Sequence, residues 1–365
     1  MMLAAALLAV VAAKAALPDP PPPVADPPPP FARMREGGSG AASPELQEAR
    51  GHVRLSLERQ DSLRRSPPAP PRADARRGEG DRRDGASRLS DARWVAPDTD
   101  LVAFLSQTPG ECLAKPLGDP SLVEAGRALF RSALTLGGPA ARYGLSCNSC
   151  HRDGRDNPHF FLEGLSGAPG TADVTSALFS KTREDGAFNP KPIPDLAGGG
   201  FRDLEGFIRS AVADEFQGAA PEAVVGALAA YVAALTPEAC TGPEPQTIAR
   251  AISDLGRALA ATDAALARGD RAAADSLFLA MLQDLNRIDE RHAPLPALSA
   301  LIRARGAELT AAREEADRSP KKGRKALKRF AARVADLEAV LSPAAGDSLY
   351  DKEALSSRLT SHINR

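Results

Sequence analysis

The chain has 365 residues, and its 46 basic side chains nearly balance its 47 acidic ones, which excludes a globally basic nucleic-acid binder. Four cysteines are too few for a disulfide scaffold of this length, and no apolar run reaches the roughly 20 residues that a transmembrane helix needs. Composition therefore predicts no nucleic-acid partner and no transmembrane span.

The N-terminus has the features of an export signal. Residues 1–13 are an unbroken apolar run, which matches a signal-peptide core and is too short for a transmembrane helix. Ala13 and Ala15 place small residues at the two positions that a signal peptidase reads. We therefore predict a cleaved signal over residues 1–15 and a periplasmic or otherwise exported protein. The alternatives are an uncleaved apolar tail and a misplaced start codon.

Residues 16–96 are predicted to be a disordered, proline-rich tether. A proline tract spans residues 17–30, and residues 66–87 combine Pro, Arg and Asp with Ala as the only other apolar residue type. Such segments bury too little apolar surface to offset the entropy that folding costs. One isolated helix is predicted within this region, over Glu45 to Leu63.

A C-x-x-C-H motif is formed by Cys147, Cys150 and His151 and is typical of covalent attachment of haem c. Two thiols at this spacing reach the two vinyl groups of one porphyrin and form thioethers, and the adjacent histidine becomes an axial ligand of the iron. A thioredoxin-like redox pair would need a βαβ pattern, and a zinc site would need further ligands nearby. The sequence shows neither, so one covalent haem is predicted.

The residues around this motif resemble bacterial cytochrome c domains, most closely those related to the di-haem cytochrome c peroxidases. The similarity is carried by EAGRALF at 124–130, the CNSCH motif, and the segment 204–235, and it covers about residues 97–240. It implies an all-α haem domain. The peroxidases carry two C-x-x-C-H motifs and this chain has one, so their activity does not follow from the resemblance.

Two helices are predicted to frame this domain. The first is capped by Ser121, with Glu124 as its capping-box partner, and the last begins at Pro221. The resemblance implies that the two helices cross where a small residue faces an aromatic one. The residues expected at this contact are Gly126, Phe130 and Tyr231.

The loop-rich stretch 156–200 is expected to wrap the edges of the haem, and one of its backbone carbonyls is expected to accept the ring N–H of His151. Three basic side chains are candidates to contact the propionates, with solvent exposure as the alternative for each. They are Arg155, Lys181 and Arg183.

The usual sixth iron ligand is missing, because residues 101–240 contain no methionine. Met281 lies on a later apolar stripe that indicates core packing. His159 is the other histidine of the domain and the candidate second metal ligand. One alternative is an open or water-bound iron. The others are Tyr143, Lys181 or Lys191 as the ligand, or a residue from outside the domain.

Cys112 and Cys240 bracket the predicted haem domain. If the terminal helices cross, the two ends lie close together, and an exported chain permits a disulfide between them. The alternative is two buried thiols.

Residues 241–365 are predicted to form a small helical bundle. Breaks at 269–270, 294–296 and 319–320 separate four apolar-striped segments. His292, beside a proline turn, is expected at the surface. A cluster of basic residues lies at 321–329, for which partner docking and a solvated helix face are the two interpretations.

These observations predict an all-α, exported monohaem c-type cytochrome that exchanges one electron with a redox partner protein and is more an electron carrier than an enzyme. The first alternative is a peroxidase-like haem enzyme or sensor with an open distal iron site. The second is a haem domain that serves as a folded adaptor for the bundle.

Overall fold

The computed structural model describes residues 89–114, 119–173 and 187–363. The chain is mostly helical in these ranges, which confirms the all-α prediction. The predicted signal over 1–15, the helix predicted over 45–63 and the tether up to residue 88 lie outside the described residues. Leu89 and Ala96 are buried, so packed structure begins earlier than the predicted domain start at residue 97.

Six helices of the described residues precede residue 240. They are α1 (Leu101–Ser106), α2 (Pro120–Phe130), α3 (Gly138–Tyr143), α4 (Cys147–Cys150), α5 (Leu204–Ser210) and α6 (Glu222–Ala233). Two short antiparallel pairs tie the loops together. The first joins β1 (Gln107–Thr108) to β4 (Glu244–Pro245), and the second joins β2 (Thr171–Ala172) to β3 (Lys191–Pro192).

The start of α2 differs from the prediction that Ser121 caps it. The cap is Asp119, whose carboxylate accepts the backbone N–H of Ser121 at 2.9 Å. Pro120 occupies the first helical position, where a missing N–H costs nothing. The predicted capping box of Ser121 and Glu124 is therefore wrong. At α6 the N-cap is Pro221, where the sequence predicts the start.

Helices α2 and α6 cross in close contact at the predicted residues. A Cβ atom on Gly126 would lie 1.9 Å from the carbonyl oxygen of Ala227 and 2.8 Å from the Cβ of Tyr231, so only glycine fits. The rings of Phe130 and Tyr231 pack with their centroids 5.1 Å apart. The buried Tyr231 hydroxyl donates to Glu111 at 2.9 Å.

Four long helices follow: α7 (Ile248–Arg268), α8 (Arg271–Arg291), α9 (Pro296–Arg318) and α10 (Pro320–Leu341). Each packs against its neighbour in sequence, and α10 returns to α7, so the four close into a bundle. Their ends fall at the predicted breaks. Gly269 ends α7 with a left-handed backbone (φ 79°), and Asp270 and Ser319 cap α8 and α10.

The helices on either side of residue 240 share one hydrophobic core. Helix α2 packs against α6, α7 and α8, and Leu129, Tyr231, Leu255 and Leu277 belong to the same buried cluster. The predicted haem domain and bundle are therefore in direct contact within the described structure.

A last helix, α11 (Lys352–Ile363), packs against α1. Its Leu355 and Leu359 join Phe104 and Leu105 in a small separate cluster. Among the described residues, no helix is long and apolar enough to cross a membrane.

His292 is buried, which corrects the expectation that it lies at the surface. It follows α8, and its Nδ1 lies 2.7 Å from the carbonyl oxygen of Ile288. The ring packs against Tyr350, with centroids 5.8 Å apart. Residues beyond the bundle thus cover a side chain that the proline turn alone would leave exposed.

Candidate functional site

The C-x-x-C-H motif forms the short helix α4 and the residue that follows it. The backbone N–H of Ser146 donates to the Ser149 hydroxyl at 3.1 Å, which fixes the entry to the helix. Cys147 and Cys150 are both half-buried and three residues apart, so they project from one side of a helical turn.

The two cysteines lie where two apolar clusters meet. Cys147 packs against the main core, whereas Cys150 packs against a second cluster that contains Leu145, Phe160 and Ile193. Both cysteine side chains therefore have apolar neighbours.

The ring of His151 is oriented by the loop that follows the motif. Its Nδ1 lies 3.0 Å from the carbonyl oxygen of Pro194, so the N–H is placed on Nδ1 and Nε2 keeps its lone pair. Burial lowers the pKa of His151 and outweighs the opposing effects of that carbonyl, Asp195 and Asp156. A neutral imidazole with a fixed tautomer is the form that binds a metal.

An ionic network holds the turn after His151 to the helices behind it. Asp153 is buried at a left-handed backbone position (φ 52°) and forms an ion pair with Arg131 at 2.6 Å. Arg131 also pairs with Asp254 of α7 at 3.1 Å. Burial raises the pKa of Asp254, but the adjacent arginines outweigh it and lower the pKa to about 2. The sequence alone does not predict this network, because Arg131, Asp153 and Asp254 lie far apart along the chain.

Three large aromatic side chains are exposed between residue 187 and the end of α5. Phe188, Phe201 and Phe207 are 59%, 36% and 48% exposed, and the last two rings lie 5.4 Å apart. Phe201 and Phe207 thus form an exposed aromatic pair. Of the basic candidates for the propionates, Arg155 forms an ion pair with Asp195, and Lys181 and Arg183 lie outside the described residues.

The side-chain contacts of His159 differ from those of His151. The His159 ring is exposed, packs edge-on against Phe104 at 5.5 Å, and has Nδ1 at 3.4 Å from the hydroxyl of Thr99. Of the other candidate ligands, Tyr143 and Lys191 are exposed. His159 as the second iron ligand stays a prediction.

Cys112 and Cys240 form a disulfide with an S–S distance of 1.98 Å. The segments that carry them are adjacent, since the backbone N–H of Thr236 donates to the carbonyl oxygen of Cys112 at 2.8 Å. Met281 is fully buried in the core of the bundle, against Thr262.

No protein-family model, no curated protein and no solved structure matches the chain. Within the described ranges, no three His, Cys, Asp or Glu side chains are grouped so that they could hold a metal ion by themselves. A haem needs fewer protein ligands, because the porphyrin nitrogens supply the other iron ligands and the protein adds one or two. Cys147 and Cys150 for attachment and His151 as one iron ligand fit this requirement.

Proposed function

We propose that this protein is an exported monohaem c-type cytochrome that carries single electrons. The observation that carries the proposal is the C-x-x-C-H helix whose histidine is half-buried and held through Nδ1 by the Pro194 carbonyl. Cys147 and Cys150 would hold the haem through thioethers, and Nε2 of His151 would ligate its iron. The haem supplies a one-electron ferric/ferrous couple, which takes its electron from a reduced partner protein and passes it to an oxidised one.

The residues around the motif would keep this site rigid. The Asp153–Arg131 ion pair holds the end of the motif against α2, and the α2–α6 crossing at Gly126 fixes the helices beneath it. The exposed aromatic rings of Phe188, Phe201 and Phe207 would provide apolar contacts for the partner. The disulfide supports export, because disulfides persist in oxidising compartments.

A second candidate function is a haem enzyme or sensor with an open distal iron position. The observation that favours it is the position of His159, whose ring contacts Phe104 and Thr99. If no other side chain replaces it, the iron keeps one protein ligand and binds small molecules.

Optical spectra of the purified holoprotein, ferric and ferrous, with and without carbon monoxide, test both candidates. A low-spin ferrous spectrum that carbon monoxide leaves unchanged is the result expected for the electron carrier. A high-spin spectrum that carbon monoxide shifts would support the open-site candidate instead. Protein that is matured under haem-attachment conditions and shows no haem absorbance would refute both.

A further inference from the structure

The end of α1 is held by side chains from two distant parts of the chain. The last carbonyl oxygens of a helix have no partner within it and need donors from elsewhere. Arg152, the residue directly after the proposed iron ligand, donates from Nη2 to the carbonyl oxygens of Phe104 at 2.7 Å and Gln107 at 2.6 Å. Arg291, at the end of α8, donates from Nη2 to the carbonyl oxygen of Leu105 at 2.9 Å. Two arginines thus satisfy three carbonyl oxygens at this helix end.

The guanidinium of Arg152 is also fixed by packing. Its Cζ lies 3.9 Å from the centroid of the Phe104 ring, so the group stacks on the aromatic face while it donates to two backbone oxygens. Because Arg152 follows His151 directly, these contacts anchor the backbone of the proposed iron ligand to α1. The Pro194 carbonyl orients the imidazole ring itself.

Arg291 joins the same helix end to the segment that leads into α11. It donates from Nη1 to the carbonyl oxygen of Leu349 at 2.9 Å, and the backbone N–H of Leu349 donates to the carbonyl oxygen of Arg291 at 2.8 Å. Arg291 is 5% exposed, so losing these bonds would leave buried polar groups without partners. The start of the C-terminal segment is therefore tied to α1 through one buried side chain.

Helix α11 completes the connection through apolar contacts. Its Leu355 and Leu359 are buried in the same small cluster as Phe104 and Leu105 of α1. Phe104 thus contacts Arg152 through its ring and its carbonyl oxygen, and it belongs to the apolar cluster that α11 covers. If α11 leaves, apolar surface of α1 is exposed to water, and the position of α1 is no longer fixed.

We propose that Arg152 is a positioning residue for His151 and that the docking of α11 on α1 controls how firmly it holds. With α11 docked, the ring and carbonyl oxygens of α1 stay where the Arg152 guanidinium binds them. With α11 undocked, Arg152 loses these acceptors, and the turn that carries His151 becomes mobile. This inference rests on the proposed function for the role of His151 as iron ligand, but the contacts themselves lie within the polypeptide.

Hydrogen exchange of the purified protein tests the coupling with or without haem. The double variant Leu355→Ala/Leu359→Ala removes the apolar contacts of α11, and Ser357→Ala, at an exposed position on the same helix, is the matched control. Only in the double variant do we expect backbone amides in 101–108 and 147–155 to exchange at least about tenfold faster, with those of α9 unchanged. Faster exchange confined to 101–108, or equally raised in α9, would overturn the proposal.

Arg152→Lys tests the anchor itself, because it keeps the charge but loses the planar group that contacts two carbonyl oxygens and an aromatic ring. The haem-methyl shifts in the ¹H NMR spectrum of the ferric holoprotein follow the orientation of the axial imidazole. We expect them to change in this variant and in Leu355→Ala/Leu359→Ala. Arg313→Lys, which alters a two-bond contact with Asp275, is the matched control and should keep the shifts of the parent. Unchanged shifts in Arg152→Lys would overturn the proposal.

The two measurements separate this proposal from the proposed function. Protein that takes up no haem would refute both haem functions, and hydrogen exchange would then decide the coupling by itself. Protein that carries haem, but whose exchange and haem-methyl shifts do not respond to the variants, would overturn the coupling alone.

Discussion

The imidazole Nδ1 of His151 lies 3.0 Å from the carbonyl oxygen of Pro194, which is 43 residues further along the chain. This contact joins the C-x-x-C-H helix to the loop-rich stretch 156–200. It fixes the tautomer in which Nε2 is the ligand atom. The proposed haem site therefore depends on the segment after the motif as much as on the motif itself.

The identity of the sixth ligand is tested by His159→Ala. If His159 ligates the iron of the carrier, this change is expected to convert a ferrous spectrum that carbon monoxide does not alter into one that it shifts. Thr99→Val is the matched control, because it removes the hydroxyl that lies 3.4 Å from Nδ1 and leaves the ring in place. Identical responses of His159→Ala and the parent protein to carbon monoxide would exclude His159 as the ligand.

The α2–α6 crossing is tested by Gly126→Ala. The new Cβ would lie 1.9 Å from the Ala227 carbonyl oxygen, so the helices must separate, and we expect a loss of unfolding free energy of about 1 to 3 kcal/mol or more. Gly256→Ala is the matched control, since nothing lies within 4 Å of its Cβ position on α7. That change is expected to stabilise by about 0.5 to 1 kcal/mol. Denaturant unfolding measures both, and equal effects would contradict the close contact.

The disulfide predicts a thiol count. Of the four cysteines, two are assigned to the disulfide and two to thioethers, so denatured holoprotein should show no reactive thiol before reduction and two after it. Two reactive thiols before reduction would contradict the assignment. Because the bond closes a loop with a sequence separation of 128, the double variant Cys112→Ala/Cys240→Ala should lose about 5 kcal/mol of unfolding free energy.

Asp284 makes stability depend on pH. Burial raises its pKa to about 6, and nearby Asp254 adds to this against the opposing effects of Arg287 and Arg131. The folded protein therefore binds a proton at the Asp284 carboxyl more tightly than the unfolded chain does. This proton binding stabilises the fold in full below about pH 4, and the contribution is lost as the pH rises through about 6.

Asp284→Asn should therefore be more stable than the parent at pH 7 to 8, by up to about 3 kcal/mol, with the difference shrinking below about pH 4. Unfolding free energies across this range provide the measurement. Asp317→Asn, an exposed change on α9, should shift stability by no more than about 0.5 kcal/mol throughout. A difference between Asp284→Asn and the parent that stays constant with pH would contradict the assignment.

The parts of the fold that the sequence predicts correctly are those that local patterns specify. The breaks at Gly269 and Ser319 mark helix ends because the glycine adopts a left-handed backbone and the serine caps the next helix. The cap of α2 is mispredicted, because Asp119 and Ser121 are both good caps and the proline between them decides in favour of Asp119.

Long-range contacts could not be predicted in the same way. His292 is covered by Tyr350, which comes from beyond the bundle, and Arg131 meets Asp153 and Asp254 only once the helices pack. In the candidate site, the motif itself identified Cys147, Cys150 and His151, whereas the carbonyl that orients the histidine could be anticipated in kind but not assigned to Pro194. No local pattern indicates which of many loop carbonyls reaches the ring.

Covalent attachment of haem to the C-x-x-C-H helix is the central claim, and acid–acetone extraction of the purified, exported protein tests it most directly. We predict that the haem absorbance stays with the precipitated polypeptide and that the double variant Cys147→Ser/Cys150→Ser releases all of it into the solvent. Complete extraction of haem from the unaltered protein, or the absence of haem from both proteins after maturation under the same conditions, would contradict the claim.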